Sequence, residues 1–131
     1  MTDNYTVSYV IVAVGGAVGA AVRFAAARWF TPIGSLYPWG TFWVNLTGAF
    51  IIGFLYPLTL ERLVSGELRL GVITGFVGGY TTFASFALDA MQLLQRGVFK
   101  LAVLYLVATT TGGLCAVWLG ASLARRMLMV P

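Results

Sequence analysis

Four apolar runs, each long enough to cross a lipid bilayer, fill almost all of this 131-residue chain. They extend over about Val7 to Phe30, Trp39 to Leu60, Leu68 to Leu94 and Val98 to Ala124. A helix needs ~20 mostly apolar residues to traverse the hydrocarbon core. The links TPIGSLYP, ERLVSGE and QRG are short, so successive helices must be antiparallel neighbours. The expected architecture is an all-α integral membrane protein, one four-helix transmembrane domain over residues 1–131. Trp29, Tyr37, Trp39 and Trp118 lie near span ends, where amphipathic rings prefer the headgroup level.

Composition removes the alternatives. Only 9% of residues are charged and 60% are hydrophobic, against roughly 25% charged in soluble domains. The net charge of +4 comes from scattered basic residues with no basic stripe, so no nucleic-acid partner is expected. Histidine is absent and Cys115 is the single cysteine, which rules out a His, Cys and carboxylate catalytic constellation. No glycine-rich Lys-Ser/Thr nucleotide loop is present. The chain is therefore not expected to be an enzyme. Cys115 reads as a packed small residue. The N-terminal MTDNYT lacks a basic n-region, and no cleavable signal peptide is expected.

Small residues recur at four-residue spacing: Gly15 and Gly19, then Gly71, Gly75 and Gly79, then Gly112, Ala116 and Gly120. Such faces let helix backbones approach closely, and packing is the main reading for them. Four thin helices leave no room for a hydrated pore inside one chain. A transport function would need an oligomer with its path at or near subunit boundaries.

Basic residues give almost no orientation bias. Both termini and the 61–67 loop share one side, with Arg62, Arg69, Arg125 and Arg126. The other side holds Arg28, Arg96 and Lys100, plus Arg23 if it reaches that interface. The positive-inside rule needs an asymmetry to act on. Either one orientation prevails despite the balance, or both occur and oppositely inserted copies pair.

Polar groups inside a span are costly and usually face the bundle interior or a water-filled cavity. Here they are Arg23, Asn45, Thr47, Tyr105 and Thr109 to Thr111. Tyr105, Thr109 and Gly113 share one helix face by their spacing. Two bland readings stay open: Arg23 snorkels to the interface, and the threonines bond carbonyls of their own helix.

The most informative stretch is TGFVGGYTTFASF, residues 74–86, in the middle of the third helix. Gly78 and Gly79 followed by Tyr80, Thr81 and Thr82 weaken a helix locally. A break at mid-membrane frees carbonyls that lipid cannot satisfy, so it is tolerated only against protein or a cavity, where it often binds an ion. The alternative is close packing through an unbroken helix. Phe83 and Phe86, with Ser85 beside them, either pack or present positive ring edges to a small anion.

These motifs resemble the Fluc, or CrcB-type, fluoride-channel family. The carriers are GGAVGAAVRF at 15–24, WGTFWVN at 39–45, TGFVGGYTTFASF at 74–86 and the Tyr105/Thr109 face. The resemblance implies a fluoride-selective passive channel in a bacterial inner membrane that exports cytoplasmic fluoride. It implies a dual-topology antiparallel homodimer with two pores, and a break in the third helix that meets its symmetry mate. There carbonyls of Gly78 and Thr81 would hold a structural Na⁺. Phe83, Phe86, Asn45, Tyr105, Thr109 and Ser85 would line the fluoride path, with Arg23 at the vestibule. Serine is frequent in the family at the place of Gly113, and glutamate at that of Asp89.

Two other functions compete. A small proton-coupled multidrug exporter would need a titrating intramembrane carboxylate, for which Asp89 is the one candidate. A non-transporting subunit leaves residues 74–86 and Arg23 unexplained.

Overall fold

The computed structural model describes residues 3–129, and all regular structure among them is helical. Helix α1 runs Asp3–Phe30 and α2 runs Trp39–Leu60. The third span, Gly66–Gln95, is composite. It comprises α3 (Gly66–Arg69), a π-helical stretch (Leu70–Val77), α4 (Gly78–Tyr80) and α5 (Phe83–Gln95). Helix α6 runs Phe99–Leu128. Four helices are thus long and apolar enough to cross a membrane. The third exceeds the run read from sequence at both ends, and the fourth only at its C-terminal end.

Local chemistry sets the boundaries. Ser65 accepts a hydrogen bond from the Leu68 amide at 3.2 Å and so caps α3. Gly97, at φ +75°, ends α5 while the Val98 amide bonds back to the Leu93 carbonyl. Arg62 plays the same part after α2 at φ 56°, with the Leu63 amide on the Leu58 carbonyl.

Glycine decides which helices touch. Helix α1 packs along the π-helical stretch and α4, and α2 packs along α6. A Cβ on Gly15 would overlap the Gly71 carbonyl oxygen, and one on Gly79 would overlap that of Gly16. At the other seam, a Cβ on Gly53 would overlap the Val117 carbonyl oxygen. These are backbone-to-backbone contacts, the packing expected of such faces. The paired Gly78 and Gly79 are both helical, so the pair is not where helical geometry is lost; Gly79 serves the seam with α1, while Gly78 is exposed.

The bundle is thin. Its buried side chains are few, with Val44 and Tyr105 the largest fully enclosed ones among the described residues. Large apolar side chains such as Phe24, Trp29, Leu114 and Trp118 point outward, as suits a protein dissolved in lipid. Cys115 is also exposed rather than packed inside the bundle.

Candidate functional site

Helical geometry lapses in the third span at two residues. Thr81 has φ −81°, ψ 159°, and Thr82 has φ −151°, ψ 119°, both extended. In a continuous helix the Thr82 N–H would bond to the Gly78 carbonyl and the Ser85 N–H to that of Thr81. Both donors go elsewhere. The Thr82 amide donates to Asn45 Oδ1 at 2.8 Å, and Asn45 Nδ2 donates to the Thr82 carbonyl at 3.0 Å. The Ser85 amide donates to Thr82 Oγ1 at 3.1 Å, which makes Thr82 the N-cap of α5. The Thr82 hydroxyl in turn donates to Ser85 Oγ.

Around these two residues lies an open groove of about 440 Å³. Asn45, Thr81, Phe83, Phe86 and Thr109 line it, together with Thr82 and Thr110. None of its lining residues is charged. The Phe83 ring is 80% exposed in the single chain, at 5.9 Å from Phe86. Phe86 is half-buried and packs against Tyr105, centroids 5.3 Å apart. Gly78 is exposed, three residues before Thr81.

A smaller cleft of about 260 Å³ holds Arg23 and Ser85, with Thr41 and Thr82. Arg23 thus faces the same two-residue interruption from the other side, and Thr82 is shared by groove and cleft. Of the expected site residues, Asn45, Thr81, Phe83, Phe86 and Thr109 line the groove and Arg23 and Ser85 the cleft, while Gly78 and Tyr105 line neither: Tyr105, expected on the fluoride path, is fully buried with its hydroxyl on Asp89.

Tyr105 and Thr109 behave differently although they share a helix face. Tyr105 is fully buried, and its hydroxyl donates to Asp89 Oδ2 at 3.3 Å. Thr41 donates to the same oxygen at 2.6 Å. Asp89 is therefore engaged by two hydroxyl donors. Thr109 Oγ1 is buried without a hydrogen-bond partner. The Tyr37 phenol is near enough to interact with it, but the geometry falls short of a hydrogen bond. Burial pushes the Tyr37 phenol, in the first loop, above its ordinary pKa. Thr111, by contrast, bonds the Val107 carbonyl of its own helix.

Sequence reasoning took Asn45 for a pore-lining donor and missed its grip on Thr82. It also missed Thr82 as a helix cap, although a threonine directly before an apolar run was available as a signal. Nothing in the sequence ties Thr41 to Asp89, 48 residues away.

The chain matches the family described as CrcB-like protein, Camphor Resistance (CrcB), over residues 10–121. A protein of Agrobacterium fabrum named fluoride-specific ion channel FluC is 41% identical over 92% of this chain and 98% of its own length. Proteins of the same name from Chlorobium phaeobacteroides and Rhizobium meliloti are 42% and 41% identical. These alignments cover 95% and 90% of this chain, and 98% and 96% of the relatives. With a family match across most of its length and relatives at this identity, the chain belongs to the CrcB-like family.

Proposed function

We propose that the protein is a fluoride-selective passive channel and that two antiparallel copies complete two pores. One observation carries this reading. In a chain so similar to proteins named fluoride-specific channels, an uncharged groove is lined by phenyl rings, hydroxyls and an amide. Fluoride is strongly hydrated, and donors along a path must replace the water it sheds. Amides and hydroxyls donate, and phenyl edges add a weaker positive field. A cation at the narrowest point would hold the anion too firmly for conduction. Arg23 lies in the separate cleft, where it attracts fluoride without blocking the path.

The groove is open on one side, which suits closure by a second copy. The near-equal basic counts support both insertion directions, and hence an antiparallel pair. The physiological role follows from acid–base chemistry. Hydrogen fluoride enters as a neutral acid and ionises inside. An inside-negative potential then drives fluoride out, at roughly 2.3 kcal/mol per charge per 100 mV. The resident membrane is then the bacterial inner membrane.

A structural Na⁺ fits the main chain at Thr81. The helical donors for the Gly78 and Thr81 carbonyls are both diverted, to Asn45 and to the Thr82 hydroxyl. Neutral carbonyl oxygens are fitting ligands for a hard monovalent cation. No group of three or more His, Cys, Asp or Glu among the described residues offers a competing metal site. When bound, the ion would bridge the two copies. The residues' own part is to hold the carbonyls out of helical bonding.

Purified protein in liposomes tests the channel reading. Fluoride efflux should need valinomycin and potassium for charge compensation, and chloride should not substitute. Absence of fluoride efflux from vesicles shown to contain folded protein would overturn it.

A further inference from the structure

Helix α2 holds the third span at two residues, one on each side of Thr81, and only one of these holds lies in the groove. Thr82 is held by Asn45, as described. Tyr80, the last helical residue before the interruption, is held by Thr47. Tyr80 is buried, and its hydroxyl lies 2.8 Å from Thr47 Oγ1. Thr47 has a single hydrogen, and the Trp43 carbonyl, 2.7 Å away, accepts it, with the Val44 carbonyl at 3.2 Å. Tyr80 must therefore be the donor to Thr47. Phe76 stacks on the Tyr80 ring at 5.9 Å with an interplanar angle of 5°. Thr81 lies between the two held residues, and the missing Cβ of Gly48 leaves room for its methyl.

We propose that Thr47 and Tyr80 are positioning residues for fluoride conduction. The proposal rests on the channel reading above. Neither residue lines the groove. They act through the relay from the Tyr80 hydroxyl to Thr47 and on to the Trp43 carbonyl. Thr82 has lost the helical bond of its amide, while Thr81, though extended, keeps its amide and its hydroxyl on the Val77 carbonyl, each at 3.0 Å. A two-residue hinge has a defined shape only if both ends are held. Asn45 holds the far end. At the near end the Thr81 bonds to Val77 hold the main chain but not the Tyr80 ring, which packing alone would leave free to roll, because dispersion contacts are non-directional. The phenol's hydrogen bond is directional. It fixes the angle at which the chain enters Thr81, and with it the direction of the Thr81 carbonyl and the Phe83 ring.

The test is unitary fluoride current through reconstituted channels in planar bilayers. Thr47→Val keeps the size and removes the acceptor. Tyr80→Phe removes the donor and leaves Thr47 bonded to Trp43. Thr47→Ser keeps the hydroxyl. The two disrupting variants should each lower the current per channel by at least about threefold. The double variant should fall no further than the worse single one, and Thr47→Ser should conduct like the parent. A purely structural role would lower the number of active channels and leave each channel's current unchanged. That result, or parental behaviour of Tyr80→Phe, overturns the inference. If Thr47→Val does not assemble, Tyr80→Phe decides the matter. A parent without fluoride current sinks the channel reading itself, which sets the two failures apart.

Discussion

Replacing Asn45 with alanine removes both hydrogen bonds that hold Thr82 to α2, of 2.8 and 3.0 Å. The substitution orphans the Thr82 N–H, while the Thr82 carbonyl, at the N-cap of α5, keeps its place as the first helical acceptor and loses only its second partner. A buried group left without a partner costs about 1–3 kcal/mol. Both bonds are only partly buried, so the lower end applies to the orphaned amide, and the carbonyl loses one hydrogen bond of two. The expected loss is then about 1–2 kcal/mol. Asn45→Asp separates the two bonds. It keeps an acceptor for the Thr82 amide but turns a carboxylate oxygen toward the Thr82 carbonyl. Repulsion and desolvation should make it no more stable than Asn45→Ala. Unfolding of the purified protein in mild detergent, monitored by helical circular dichroism, reads the stability. Fluoride efflux from liposomes reads the function. Both variants should lose stability and flux together. If Asn45→Ala unfolds like the parent, the amide does not support the interruption, and the reasoning fails even if flux is lost.

The remaining predictions concern rings, seams and topology. Phe83→Ile should lower fluoride flux with little change in stability, since that ring is exposed in the single chain. Phe86→Ile should lower both, because its ring packs on Tyr105; flux and thermal unfolding of folded dimers check the pair, and parental flux in both would make the rings mere packing. Gly53→Ala forces a methyl into the Val117 carbonyl and should cost about 1–3 kcal/mol. Gly113→Ala meets nothing within 4 Å and should stay within about 0.5 kcal/mol of the parent in the same unfolding assay. A cysteine added after Pro131 in a Cys115→Ser background should be labelled in part from each side of the membrane; labelling from one side only would refute insertion in both directions.

Much of the fold was legible because lipid imposes simple rules. Span length and short links dictate four antiparallel helices without any tertiary information. Glycine spacing announced the two tight seams, although not which helix lay across each. The lapse in the third span was harder to read. Two adjacent glycines looked like the weak point, yet both are helical, and the extended residues are Thr81 and Thr82. The reason is tertiary. Gly79 must lie flat against Gly16, while Asn45 offers Thr82 a better partner than its own helix does. Long-range pairs such as Asn45 with Thr82, Thr41 with Asp89, and Thr47 with Tyr80 leave no local pattern. They depend on how two helices are rotated against each other, which periodicity does not specify.

Thr109 draws together the polar groups of the proposed path. Most threonines facing this region have committed their hydrogen: Thr41 to Asp89, Thr81 to the Val77 carbonyl and Thr82 to Ser85. A hydroxyl already bonded to a carbonyl or carboxylate has nothing left to give an anion. Tyr105 is spent on Asp89, and Gly113, one turn beyond Thr109, brings no donor at all. Thr109 alone is buried in the groove with its hydroxyl unpartnered. An orphaned buried hydroxyl costs about 1–3 kcal/mol, and an anion passing Phe86 would relieve that cost for as long as it stayed. The second amide hydrogen of Asn45, left over after Nδ2 has bonded Thr82, and the exposed Thr110 hydroxyl are further free donors in the groove. On this reading, conduction depends on donors left unsatisfied while their neighbours hold the main chain in place.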